Sequence, residues 1–234
     1  MGDLGQAGSA AIQLILGADV RLWSIVALSL KVSLAATVIA AAIGLPLGAL
    51  VALKDFPGRN LAIVVLNACM GLPPVVVGLV VYLLLSRAGP LGPLGLLFTP
   101  GAMIVAQTLL ILPIIAAVSR QIVADAWGEY REQLTSLGAG SVQAAATLLY
   151  DCRFSLMTAI LAGFGRAAAE VGAVLVVGGN IDGVTRVMTT SIALETSKGD
   201  LPQALGLGFV LMAIVLAVNA AALALRNAAA RQGA

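Results

Sequence analysis

Two groups of residues in this chain could do chemistry. Arg166 and Glu170 are ionisable, stand four residues apart, and lie in a stretch otherwise apolar enough to cross a bilayer. On a continuous helix that spacing puts both on one face. Charges at membrane depth cost about 3 kcal/mol each even on lenient insertion scales, so such residues pair or face a polar interior. Beyond them Gly178, Gly179 and Asn180 interrupt the apolar run, and Thr185, Arg186, Thr189 and Thr190 supply one cation and three hydroxyls. That is a donor set suited to an oxyanion. Both groups also have a plainer reading. Arg166 and Glu170 can neutralise each other and fix helix packing, with small residues at Gly165, Ala168, Ala169 and Gly172 allowing close approach. Gly178 to Thr190 can be an ordinary connecting loop with Arg186 solvated.

The elements that must hold these residues are membrane helices. Of 234 residues 60% are hydrophobic and 10% charged, with a mean hydropathy of +1.05, far from the roughly 25% charged residues of soluble domains. The chain is all-α and integral to a membrane, with room for one transmembrane domain and no separate catalytic domain. Histidine is absent, which removes histidine triads, metal sites and proton relays, and no metal-ligand spacing occurs. The net charge of +2 is scattered along the chain, so no nucleic-acid footprint is present. Cys69 lies in an apolar span and Cys152 in a polar connection, so a disulfide is not expected.

Five spans are expected. Residues 1–27 lack a basic leader and form a periplasmic or interfacial segment. The transmembrane domain occupies 28–225, with spans near 28–53, 61–86, 101–124, 154–177 and 202–225, and 226–234 form a tail. Pro73 and Pro74 must bend or break the second span, either as a common feature of membrane helices or as a hinge beside a permeation path. Arg87 to Pro100 reads as an irregular loop. Placing the Lys54 turn, the 125–153 loop and the tail inside puts seven basic residues there, Lys54, Arg59, Arg120, Arg131, Arg153, Arg226 and Arg231. Arg21, Lys31, Arg87, Arg186 and Lys198, five in all, fall outside. The bias favours the amino end outside and the carboxyl end inside.

Within the 125–153 loop, Glu132-Gln133-Leu134-Thr135-Ser136-Leu137-Gly138-Ala139 precedes a helical pattern reaching Tyr150. This segment resembles the coupling loop of ABC-importer permeases, Glu-Ala-Ala followed after three residues by Gly, with Glu132 and Gly138 at the family's separation. Gln133 and Leu134 replace the two alanines, and Leu148, Tyr150 and Asp151 stand where the family has Ile, Leu and Pro. Phe56-Pro57-Gly58, Leu72-Pro73-Pro74 and Arg166 with Glu170-Val171-Gly172-Ala173 are similar to the molybdate, tungstate and sulfate permease group. The run Gly178-Gly179-Asn180-Ile181, then Thr185 to Thr190, Glu195-Thr196 and Lys198-Gly199-Asp200, resembles the tungstate branch, and the likeness extends from about Ser29 to Leu225.

The resemblance implies a type I ABC-importer permease fold with five spans and a subunit that is not an enzyme. It implies a permease homodimer in the cytoplasmic membrane of a bacterium or archaeon. Two ATPase subunits would be seated on the coupling loop at Glu132, Gly138 and Ala139, and a periplasmic or lipid-anchored binding protein would deliver tungstate. No Gly-x-x-x-x-Gly-Lys-Ser/Thr loop occurs in the chain, so ATP and magnesium belong to the separate ATPase and no cofactor is expected here. Asn180, Thr185, Arg186, Thr189 and Thr190 are then expected to line the translocation path or its outer gate. Molybdate, sulfate and vanadate are alternative cargoes. An ion-coupled secondary transporter or channel, which needs no ATPase, is the alternative mechanism.

Overall fold

A computed structural model describes residues 20–232, with side chains described to 224. The expectation for 1–19, and for the last two residues of the tail, lies outside the described residues. All regular structure among the described residues is helical. In chain order the helices are α1 (Val20–Leu53), α2 (Arg59–Met70), α3 (Pro74–Leu85), α4 (Pro100–Ser136), α5 (Ser141–Asp151), α6 (Arg153–Ala168), α7 (Gly172–Gly178), α8 (Met188–Lys198) and α9 (Leu201–Gln232). Among these, α1, α4 and α9 are long and apolar enough to cross a membrane. The pairs α2 with α3 and α5 with α6 can each count as one broken span, which brings the total to as many as five.

The proline break appears where the sequence puts it. Helix α2 stops at Met70 and Pro74 opens α3, the helical position at which proline sacrifices no hydrogen bond. Three boundaries differ from expectation. Helix α1 already includes Val20, the first described residue, rather than starting near Leu28. Helix α4 runs 37 residues without interruption to Ser136, so the first part of the 125–153 loop is a continuation of the third span. The fourth span is not one helix over 154–177, because α6 ends at Ala168 and α7 begins at Gly172.

The chain divides into two compact units. Among the described residues the first gathers 20–34, 74–107 and 168–232, and the second comprises Ala35–Pro73 and Thr108–Ala167. In the first unit α3 lies hard against α7, since a Cβ on Gly78 would come 2.7 Å from Ala173 Cα. Leu22 and Val26 of α1, Met188 of α8, and Leu207 and Val210 of α9 form a buried cluster. Ser29 Oγ in α1 accepts the Met188 N–H at 2.8 Å, which ties the start of α8 to α1.

In the second unit glycines set the spacing of α1 and α4. A Cβ on Gly44 would lie 3.2 Å from Ile115 Cγ2, and one on Gly48 would run into Ala116 O, 2.8 Å from Arg120 N and 2.9 Å from Ser119 Cβ. Ser119 Oγ donates to Leu45 O across the same seam at 3.1 Å. Gly163 of α6 faces Ile115 equally closely, 2.7 Å to Cδ1, whereas a Cβ on Gly165 would meet open space. Close approach therefore belongs to Gly163, not to Gly165. At the end of α1, Arg59 donates through Nε to Val51 O at 2.9 Å and through Nη2 to Ala52 O at 3.0 Å. A cation there satisfies orphan carbonyls and meets the negative end of the helix dipole.

Candidate functional site

The expected charge pair does not sit on one helical face. Arg166 is in the last turn of α6, where a cation complements the helix dipole, while Glu170 falls in the break before α7. Glu170 is 3% exposed. Its Oε1 accepts the Ala173 N–H at 3.0 Å, capping an otherwise orphaned donor at the start of α7. Its carbonyl accepts the Thr189 hydroxyl at 2.8 Å. Thr189 is thus spent holding the α6–α7 break against the start of α8.

The 179–187 turn is built the same way. Gly179 (φ 70) and Asn180 (φ 51) are consecutive left-handed residues, and a Cβ on Gly179 would also lie 2.9 Å from the Phe98 ring. Thr185, fully buried, donates to Gly178 O at 2.6 Å and accepts the Ile181 N–H at 2.9 Å, closing the turn on itself. Thr190 Oγ1 accepts the Val187 N–H at 3.1 Å and donates to Val187 O at 3.0 Å, which starts α8. Arg186 pairs with Asp182 at 3.0 Å and reaches Asn180 Oδ1 and O, each at 3.4 Å. The three hydroxyls that the sequence offers to an anion are therefore engaged within the protein. Asn180 and Arg186, both half-buried, remain at its surface.

This arrangement predicts that Thr185→Val, which keeps the shape and removes both bonds, lowers stability by about 1–3 kcal/mol. A thermal melt of the purified protein checks it. An unchanged melt would mean that the buried hydroxyl does not staple the turn.

At the other candidate segment, Gly138 (φ 74) ends α4 with a Schellman motif. Its N–H donates to Thr135 O at 3.0 Å, and the Ala139 N–H donates to Leu134 O at 3.0 Å. Two residues on, the Gly140 N–H donates to Gln143 Oε1 at 3.1 Å and α5 starts. Helix α5 is two-faced. Ala144, Ala145 and Leu148 are buried in a cluster with Ala49, Ala52 and Leu53 of α1 and Val123 of α4. Val142 and Tyr150, eight residues apart on the opposite face, are 69% and 66% exposed, and Leu137 is 83% exposed. Glu132 and Gly138 are exposed and Ala139 is half-buried. At Cys152 the chain turns through 80° into α6.

Sequence reasoning missed three features. Helix α8 lies inside what reads as a polar connection. Ser191 on α8 is buried, with a hydroxyl lacking a hydrogen-bond partner. Arg21 lines a cavity of about 260 Å³ together with Asp182, Arg186 and Lys198. The spacing of Ser191, Glu195 and Lys198, at i, i+4 and i+7, is the signal that could have placed them on one face.

No protein-family model matches the chain. Individual proteins do. The chain is 46% identical over 202 residues, covering 84% of it and 87% of the relative, to a protein of Haloferax volcanii named "probable anion ABC transporter permease protein". It is 43% identical over 211 residues, 90% of this chain and 92% of the relative, to the tungstate uptake system permease protein of Peptoclostridium acidaminophilum. The protein of the same name from Campylobacter jejuni is 35% identical over 165 residues, 70% of this chain and 69% of the relative. Permeases named for sulfate transport match at 27% to 30% identity.

Proposed function

The chain belongs to the ABC-transporter permease family, and from that membership we propose that it is the membrane-spanning subunit of an ATP-driven tungstate importer. It is a multi-pass membrane protein and a transport component rather than an enzyme. The observation that carries the tungstate reading is the nearly full-length match to a tungstate permease, against weaker and shorter matches to sulfate permeases. The test is reconstitution into vesicles with a partner ATPase and an oxyanion-binding protein. ATP-dependent uptake of tungstate in preference to sulfate is the expected result. Sulfate preference overturns the cargo, and uptake driven by an ion gradient without the ATPase restores the secondary-transporter reading.

Two permease copies form the path, and two ATPases holding ATP and magnesium dock at the α4–α5 connector. The outward face of α5 and the exposed Leu137 support this seat, because apolar side chains pointing away from a polar connector are what a partner groove covers. Nucleotide-driven closure then moves the connector as a rigid piece, with the buried face of α5 carrying the motion to the ends of α1 and α4. The turn at Asn180 to Thr190 serves as the outer gate. Its hydroxyls hold its shape, and Asn180 and Arg186 meet the passing anion or its carrier. Alanine at Asn180 and Arg186 is expected to change uptake kinetics, and unchanged kinetics would remove the turn from the path.

The orientation is amino end outside, carboxyl end inside. The cluster that joins Ala52 and Leu53 to Ala144 and Leu148 supports placing the Lys54 turn and the 125–153 loop on the same side. Cys152 supplies the test. Burial first, and then the neighbouring Asp151 carboxylate, raise the Cys152 thiol above its ordinary value. The thiolate fraction at a given pH is therefore below that of an ordinary cysteine, and labelling quickens as the pH rises. An impermeant maleimide at alkaline pH is expected to label Cys152 in inverted vesicles and not in intact cells, and faster in Asp151→Asn. Labelling of intact cells reverses the orientation.

A further inference from the structure

Helix α8 turns Ser191, Glu195 and Lys198 toward a cavity of about 260 Å³ in the first unit. The cavity is also lined by Arg21 of α1, by Asp182 and Arg186 of the 179–187 turn, and by Gln203 of α9. At roughly 30 Å³ per water it holds about eight waters, or a small polyatomic ion with part of its hydration shell. Two of its cations are paired on the rim, Arg186 with Asp182 at 3.0 Å and Lys198 with Glu195 at 2.8 Å. Arg21 is a third cation on the lining and has a partner of its own.

Ser191 is the feature that packing does not explain. The residue is 4% exposed, and its Oγ is buried without a hydrogen-bond partner, although it lines this cavity. A buried hydroxyl with nothing to donate to is an energetic loss that an acceptor entering the cavity removes. Donors converge from four elements, and Leu22, Ile25 and Leu207 complete the wall. That geometry suits an ion with oxygens in several directions better than a planar carboxylate.

We propose that this cavity is an anion site for a doubly charged tetraoxo ion, in which Ser191 and the cations Arg21, Arg186 and Lys198 take its oxygens. The site rests on the reading of the chain as an oxyanion permease, and it gives that reading a residence point outside the gate. The paired carboxylates keep the site weak. An importer needs an ion that binds well enough to enter and poorly enough to leave, and cations already partnered within the protein meet both demands.

The test uses the full-length permease in lipid nanodiscs, without ATPase or binding protein, and sodium tungstate as the probe against sodium chloride at matched ionic strength. Tungstate is expected to raise Tm with saturation. Ser191→Ala is expected to raise the half-saturating concentration by about tenfold, and Lys198→Gln is expected to raise it too. Ser191→Ala should leave the tungstate-free Tm equal or higher, because it removes an unpartnered buried hydroxyl. A merely structural serine predicts the opposite sign. Absence of a saturable response, or a response unchanged in both variants, overturns the site. The same preparations reassembled with their partners keep the two ideas apart. ATP-dependent tungstate uptake without binding to the free permease sinks the site and leaves the function. Tungstate binding without tungstate uptake upholds the site and sinks the cargo.

Discussion

Substituting leucine for Gly48 is expected to abolish recovery of folded permease. The position has no room for even a methyl group. A Cβ would press on Ala116 O and lie 2.8 Å from Arg120 N and 2.9 Å from Ser119 Cβ, so two of its three nearest neighbours are backbone atoms that no rotamer change can move aside. Overpacking a core that can adjust costs about 1–3 kcal/mol. Here α1 and α4 must part, breaking the Ser119-to-Leu45 hydrogen bond and the Gly44 contact with Ile115 one turn away. A loss of that extent exhausts a stability of roughly 5–15 kcal/mol. Size-exclusion chromatography in mild detergent checks the outcome, with Gly165→Ala, whose Cβ meets open space, expected to elute as the unmodified protein. A monodisperse Gly48→Leu peak at normal yield would show that the two helices are not locked at this seam.

The seam also marks what the sequence can and cannot convey. Proline carries its meaning locally, so the break before α3 is legible from Pro73-Pro74 alone. Glycine inside a helix is different. Gly48, Gly163 and Gly165 look alike in sequence, and their roles separate only when the opposing helix is in place. The break after Ala168 is hidden for a stronger reason. Ala167-Ala168-Ala169-Glu170 favours helix at every position. The interruption is held by one distant partner, the Thr189 hydroxyl on Glu170 O, and by a local cap, the Glu170 carboxylate on Ala173 N–H. Bonds of this kind also engage all three threonines that read as anion ligands. Residue type announces donor capacity, but only the fold shows whether a donor has already been used.

Gly138→Val is expected to leave an inserted, folded permease whose partner ATPase hydrolyses ATP without driving uptake. The cost at Gly138 is conformational rather than steric. A Cβ would meet nothing within 4 Å, yet φ is 74°, a region that costs an ordinary L-residue about 1–2 kcal/mol and a β-branched one more. That penalty is too small and too peripheral to unfold helices buried on their other faces. It is large enough to undo the Schellman closure, in which the Gly138 and Ala139 N–H groups satisfy Thr135 and Leu134. Without it the angle between α4 and α5 is no longer fixed, and the exposed Leu137, Val142 and Tyr150 no longer present one rigid surface. Gly138→Ala should show a smaller loss of uptake, in proportion to the smaller strain. Gly128→Ala is the control. It lies within α4 with open space at its Cβ, and it should stabilise the helix by about 0.5–1 kcal/mol with coupling intact. The measurement is ATP hydrolysed per tungstate taken up in reconstituted vesicles. A ratio that rises severalfold in Gly138→Val and stays at the unmodified value in Gly128→Ala ties coupling to the shape of the connector. A ratio unchanged in both would mean that force passes to the spans by another route.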